Sequence, residues 1–135
     1  LVYCAKQRKR AMAKKKQARW ASFANAWRGI LYTVKTQGHF RFHLLAAALV
    51  LLAGLGVGLE RWEWVALFLT IGCVLVAEAF NTAVELAVDL AEPHIHPIAG
   101  LAKDVAAGAV LITAIMSVAV GVLIFGPRLL NFIVH

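Results

Sequence analysis

Five polar side chains, Glu78, Asn81, Thr82, Glu85 and Asp89, interrupt an otherwise apolar stretch. At about 100° per residue they fall within an arc of roughly 100° and form one stripe along a helix. Glu78 and Glu85 stand seven residues apart, about 10.5 Å along the axis, a separation that suits two different jobs. Glu78, beside Ala77, Ala79 and Phe80, is the candidate general base. Glu85, two turns nearer water, suits a divalent cation. Asn81, between them, can orient either carboxylate or donate to a substrate oxygen. Ionised carboxylates facing lipid cost at least ~2.5 kcal/mol each, so the stripe must face protein, water or a metal ion. A buried polar seam that only sets helix register is the alternative.

Lys103 and Asp104 follow across a short loop and open the next apolar run at the same end as Glu85. A lysine near a metal carboxylate is what a polyphosphate needs, because phosphoryl transfer is catalysed by positioning and charge neutralisation. Taken alone, Lys103 reads as a snorkelling anchor. His94 and His96, and likewise His39 and His43 at i, i+4, lack the Cys or carboxylate spacing of a zinc site. There is no GxxxxGK[ST] loop, and the glycines near residue 56 follow no strand, so any nucleotide must be held by side chains from helices and loop. Cys4 and Cys73 form no disulfide framework or CxxC pair.

The elements that carry these residues must lie in lipid. Of the 135 residues, 61% are hydrophobic and 16% charged, with a mean hydropathy of +0.76, too apolar for a soluble domain of this size to cover. Residues 105–127 hold no ionisable side chain, and residues 42–59 hold only His43. With residues 62–90 these predict three membrane helices, over about 40–59, 62–90 and 101–127. The links are Glu60-Arg61-Trp62-Glu63 and the AEPHIHPIAG segment at 91–100, where Pro93 and Pro97 stop a continuous helix.

Nine of the 14 basic residues lie in the first 28 positions, and all seven acids lie at or beyond Glu60. The positive arm, residues 1–19, is expected in the cytoplasm, with the His-Pro loop also inside and Arg61 and the tail after Pro127 outside. Attraction to anionic headgroups, roughly 1 kcal/mol per Lys or Arg, accounts for the arm without nucleic acid, and no signal-peptide core follows it. Trp20, Phe23, Ala24, Trp27, Ile30, Leu31 and Val34 recur with helical period and predict an amphipathic surface helix over about 20–36. The expected fold is therefore an all-α integral membrane protein with one surface helix and three transmembrane helices, residues 20–135 forming a single membrane-embedded domain.

EAFNTAVELAVDL (78–90) followed by HPIAGLAKDVAAGAVLI (96–112) resembles the prokaryotic diacylglycerol kinase family. WRGI at 27–30 and F-x-F-H at 40–43 extend the resemblance over about 20–130. The HP-x-A-x-x-A-K-D-x-A-A-G-A-V pattern and the VDL ending look like its Gram-positive-type undecaprenol kinase branch. The resemblance implies a homotrimer in the bacterial plasma membrane that moves the γ-phosphoryl of MgATP to a lipid hydroxyl at the cytoplasmic face. It implies Glu78 as the catalytic carboxylate, Glu85 as a metal ligand, and Asn81 and Asp89 as orienting positions. It implies nucleotide contacts at Lys103 and Asp104, with His94 and His96 in the loop against the nucleotide. One position departs from the pattern. The family's T-E-x-x-F reads Thr36-Gln37-Gly38-His39-Phe40 here, so Gln37 offers magnesium an amide oxygen in place of a carboxylate, and His39 is a substitute ligand. The expected acceptor is undecaprenol, the alternative diacylglycerol yielding phosphatidic acid. A rival of another class is a non-catalytic cation-binding or transport subunit that uses the stripe as a relay.

Overall fold

The computed structural model describes residues 20–134. Contacts divide the chain into two units, Leu1–Thr36 and Gln37–His135. In the first, residues 20–36 form helix α1, and the basic arm lies outside the described residues. Trp20, Phe23, Trp27 and Ile30, at helical spacing, are all exposed. The hydroxyls of Thr33 and Thr36 donate to the carbonyls of Gly29 and Tyr32 one turn back, so neither needs an outside partner.

The second unit holds α2 (Gly38–Val57), α3 (Arg61–Ala91) and α4 (Pro97–Val134), each long and apolar enough to cross a membrane. Helix α2 stops where Gly58 takes φ +66°, a left-handed conformation that favours glycine and frees the chain to reverse. The reversal is tight. A Cβ on Gly54 would stand 2.8 Å from Leu59 Cδ1 and 3.1 Å from Trp64 Cη2, so glycine lets these two side chains close against α2 and any larger residue must displace them. Helix α3 then begins with Glu63 Oε2 accepting the Glu60 N–H, which satisfies a donor the helix itself cannot. At the other link, His96 Nδ1 accepts the Ile98 N–H and serves the first turn of α4 in the same way.

Side-chain pairs fix the packing as antiparallel. Gln37 meets Glu85, and His43 meets Glu78, so six residues forward on α2 correspond to seven back on α3. Helix α4 returns along α3 in the same sense, Lys103 meeting Asp89 and Arg128 meeting Glu63. These two ion pairs are 26 residues apart on α3 (89 to 63) and 25 on α4 (103 to 128), roughly 38 Å at ~1.5 Å per residue. That exceeds a ~30 Å hydrocarbon core, so each pair has a polar interface available to it. The Arg128 guanidinium holds Glu63 with two bonds of 2.8 and 2.6 Å, and Nη1 also donates to the Ile124 carbonyl.

Phe40, Leu67, Val74 and Ile124 are the buried apolar side chains among the described residues. Most large apolar side chains, Leu45, Leu52, Phe68, Leu111 and Leu123 among them, remain exposed. Such a surface is tolerated only against lipid or other protein.

The boundaries of α2 and α4 differ from expectation, and α4 already begins at Pro97, not near 101, because proline suits the first position of a helix. Helix α2 starts at Gly38 and ends at Val57, shifted from 40–59 because Gly58 turns the chain earlier. The last helix does not end near Pro127 but carries it internally and continues to Val134. Proline removes one N–H and crowds the preceding turn, yet Arg128 binds both Ile124 of that turn and Glu63 of α3, which holds the helix together across the break.

Candidate active site

The carboxylate stripe of α3 divides among its neighbours. Glu78 is 4% exposed, and its Oε1 lies 3.3 Å from Nε2 of His43 on α2. One turn on, Thr82, also buried, donates its hydroxyl to the Glu78 carbonyl and leaves the carboxylate untouched. Two turns on, Glu85 accepts from two amides: Asn81 Nδ2 to Oε1 at 2.8 Å and Gln37 Nε2 to Oε2 at 3.3 Å. Asp89, at the water-facing end of the stripe, pairs with Lys103 of α4 at 2.5 Å. The expected residues thus form a line of three groups, base candidate, amide-bound carboxylate and ion pair, descending from a buried to an exposed environment.

The remaining candidates are looser. His94 is exposed, 3.5 Å from Glu92 by its Nδ1. His96 is committed by Nδ1 to the start of α4, and Asp104 is exposed one residue beyond Lys103. None of these three reaches the stripe through a side-chain bond.

Glu85, Asn81 and Gln37 supply the oxygen donors a hard divalent cation takes. Asn81 Oδ1 is buried and has no hydrogen-bond partner. A buried acceptor without a partner costs free energy, and a cation is one group that can complete it. The set fits magnesium, although among the described residues no three His, Cys, Asp or Glu side chains converge on one point. Glu85 is the one carboxylate of the set, and Asn81 and Gln37 add neutral amides.

The family model for prokaryotic diacylglycerol kinase matches residues 24–125, a span that includes Gln37, the whole stripe and Lys103. The chain belongs to the prokaryotic diacylglycerol kinase family. It is a lipid kinase, and its three apolar helices fit a membrane enzyme. The undecaprenol kinase of Bacillus subtilis (strain 168) is 47% identical over 108 residues, 80% of this chain and 88% of that protein. A diacylglycerol kinase of Synechocystis is 41% identical over 114 residues, 84% of this chain and 65% of that protein. The diacylglycerol kinase of Escherichia coli (strain K12) is 28% identical over 93 residues, 69% of this chain and 76% of that protein.

One residue that the sequence set aside stands inside the site. His43 carries no role in the sequence pattern beyond a helical His pair and the F-x-F-H match, yet among the described residues it is the basic group within ion-pair distance of Glu78. The signal lay in the hairpin: if Gln37 meets Glu85 across an antiparallel pair, the residue near six positions along α2 must meet Glu78.

Proposed function

We propose that this enzyme transfers the γ-phosphoryl group of ATP to the hydroxyl of undecaprenol, yielding undecaprenyl phosphate and ADP. The observation that carries the choice of acceptor is the 47% identity to an undecaprenol kinase with 88% of that relative covered. In this reading Glu78 takes the proton from the lipid hydroxyl as its oxygen forms a bond to the γ-phosphorus and the bridging oxygen leaves with ADP. The position of Glu78 within the α3 span, at the depth of an acceptor dissolved in the bilayer, supports that role. Glu85, Asn81 Oδ1 and the Gln37 amide oxygen would hold magnesium, which when bound offsets the negative charge of the phosphates. Lys103 contributes a fixed positive charge toward the nucleotide, Asp89 orients Lys103, and Asp104, His94 and His96 line the nucleotide's side of the loop.

The enzyme works as a homotrimer in the bacterial inner membrane. Helix α1 lies in the interface with Trp20, Phe23 and Trp27 toward lipid, and the basic arm sits in the cytoplasm with the ATP-facing loop. The 41% identity to a cyanobacterial diacylglycerol kinase supports diacylglycerol as the second acceptor to be tested. Purified protein in mixed micelles with ATP and magnesium, offered undecaprenol and diacylglycerol in competition, separates the two. A higher kcat/KM for undecaprenol is expected, and preferential labelling of diacylglycerol overturns the assignment.

A further inference from the structure

We propose that His43 is a positioning residue for Glu78: its Nε2–H holds Glu78 Oε1, so that Oε2 is the oxygen presented to the lipid hydroxyl. This inference rests on the reading of Glu78 as the general base and adds the group that aims it. Nε2 and Oε1 are 3.3 Å apart, with 20% of the His43 side chain and 6% of the Glu78 side chain exposed. A carboxylate this enclosed requires a partner. Among the described residues His43 is the only basic group within ion-pair distance of it. The neighbouring hydroxyl, Thr82 Oγ1, is spent on the Glu78 carbonyl.

The surroundings of the imidazole leave it no competing task. Its other side borders a cavity of about 120 Å³ between α2, α3 and α4, lined by Ala47, Val50, Leu67, Val74 and Phe125 among others. The two hydroxyls on that lining face inward to their own helices: Thr70 Oγ1 donates to the Ala66 carbonyl and Ser117 Oγ to the Ala114 carbonyl. Phe42 stands edge-on to the imidazole at 5.5 Å between ring centroids. A ring hemmed in by apolar walls with one polar neighbour is directed at that neighbour. The 3.3 Å contact brings the two groups within ion-pair distance without forming a hydrogen bond; catalytic contacts are often misaligned before substrate binds and tighten only in the complex.

The test uses the full chain in mixed micelles with ATP, magnesium and undecaprenol, comparing His43→Ala, His43→Gln, Glu78→Gln and the His43→Ala/Glu78→Gln double variant. Misaiming a base by about 1 Å costs on the order of 100-fold. His43→Ala is therefore expected to lower kcat by about 10- to 100-fold while leaving the KM for ATP within about twofold, since nothing at Gln37, Glu85 or Lys103 changes. His43→Gln, whose amide N–H can occupy the place of Nε2–H, should recover most of that loss. The double variant should be no slower than Glu78→Gln alone, because a positioning residue has nothing left to position. Wild-type kcat in His43→Ala, a His43→Gln as slow as His43→Ala, or losses that multiply in the double variant would each overturn the role of His43. Near-normal turnover in Glu78→Gln instead overturns the base assignment itself, so the two failures are distinguishable.

Discussion

Replacing Gln37 by glutamate converts the donor facing Glu85 into a second anion. The present contact, Gln37 Nε2 to Glu85 Oε2, is 3.3 Å. Two unit charges at that distance repel by about 5 kcal/mol at an effective dielectric near 20. Both side chains are half-buried and either can swing apart, so most of that repulsion is avoided; what remains, with the lost hydrogen bond, is about 1 to 2 kcal/mol. Without metal, Gln37→Glu should therefore melt at a lower temperature than the native protein. With magnesium the sign reverses, because two carboxylates and the Asn81 oxygen make a stronger cage for a dication than one carboxylate and two amides. The checks are kinase rate against free magnesium at constant ATP, and thermal unfolding with magnesium or chelator. The substituted enzyme should reach half-maximal rate at lower magnesium. An unchanged or higher requirement would mean that Gln37 does not face the metal and that His39 or water completes its coordination.

Lys103→Met should slow phosphoryl transfer and raise the KM for ATP, while costing less than about 1 kcal/mol of stability, because the Lys103–Asp89 pair is largely exposed; thermal unfolding beside steady-state kinetics separates the two effects. Arg128→Ala should destabilise the bundle and leave the kcat of the folded fraction near normal, since the residue ties Glu63 and Ile124 at the end of the spans remote from Glu85; unfolding in detergent measures it. Gly54→Leu should be poorly folded, as even a Cβ meets Leu59 and Trp64 at 2.8 and 3.1 Å, and the yield of non-aggregated protein on size exclusion reports this. Cysteines placed in the link at residues 92–96 should be labelled only by reagent that reaches the cytoplasm.

The helices were legible because lipid demands long apolar runs, and the stripe was legible because 100° per residue puts Glu78, Asn81, Glu85 and Asp89 on one face. Which neighbour each would meet was not. Periodicity says that side chains share a face but not what packs against it, so the division of the stripe between His43, Gln37 and Lys103 emerged only with the antiparallel register. Spacing along its own helix offers His43 no partner, because that partner lies 35 residues away on the next helix (43 to 78). Arg128 lies in the tail that the charge pattern puts outside, and nothing in the sequence pairs it with Glu63. Pro127 misled for a related reason: proline's local preference for ending helices is set aside in a helix that Arg128 ties to Ile124 of its own preceding turn and to Glu63 of α3.

The central claim is that a buried carboxylate on α3 serves phosphoryl transfer to a lipid alcohol. The most direct measurement follows radiolabel from the γ-position of ATP into the lipid fraction, with undecaprenol as acceptor, for the native enzyme and for Glu78→Gln. The native enzyme should yield labelled undecaprenyl phosphate. The variant should keep its fold and oligomeric state and lose about 10² to 10⁴ in rate, the worth of a general base, or roughly 3 to 5 kcal/mol of barrier. Label that never reaches undecaprenol, or reaches it at the native rate when Glu78 is Gln, would contradict the account.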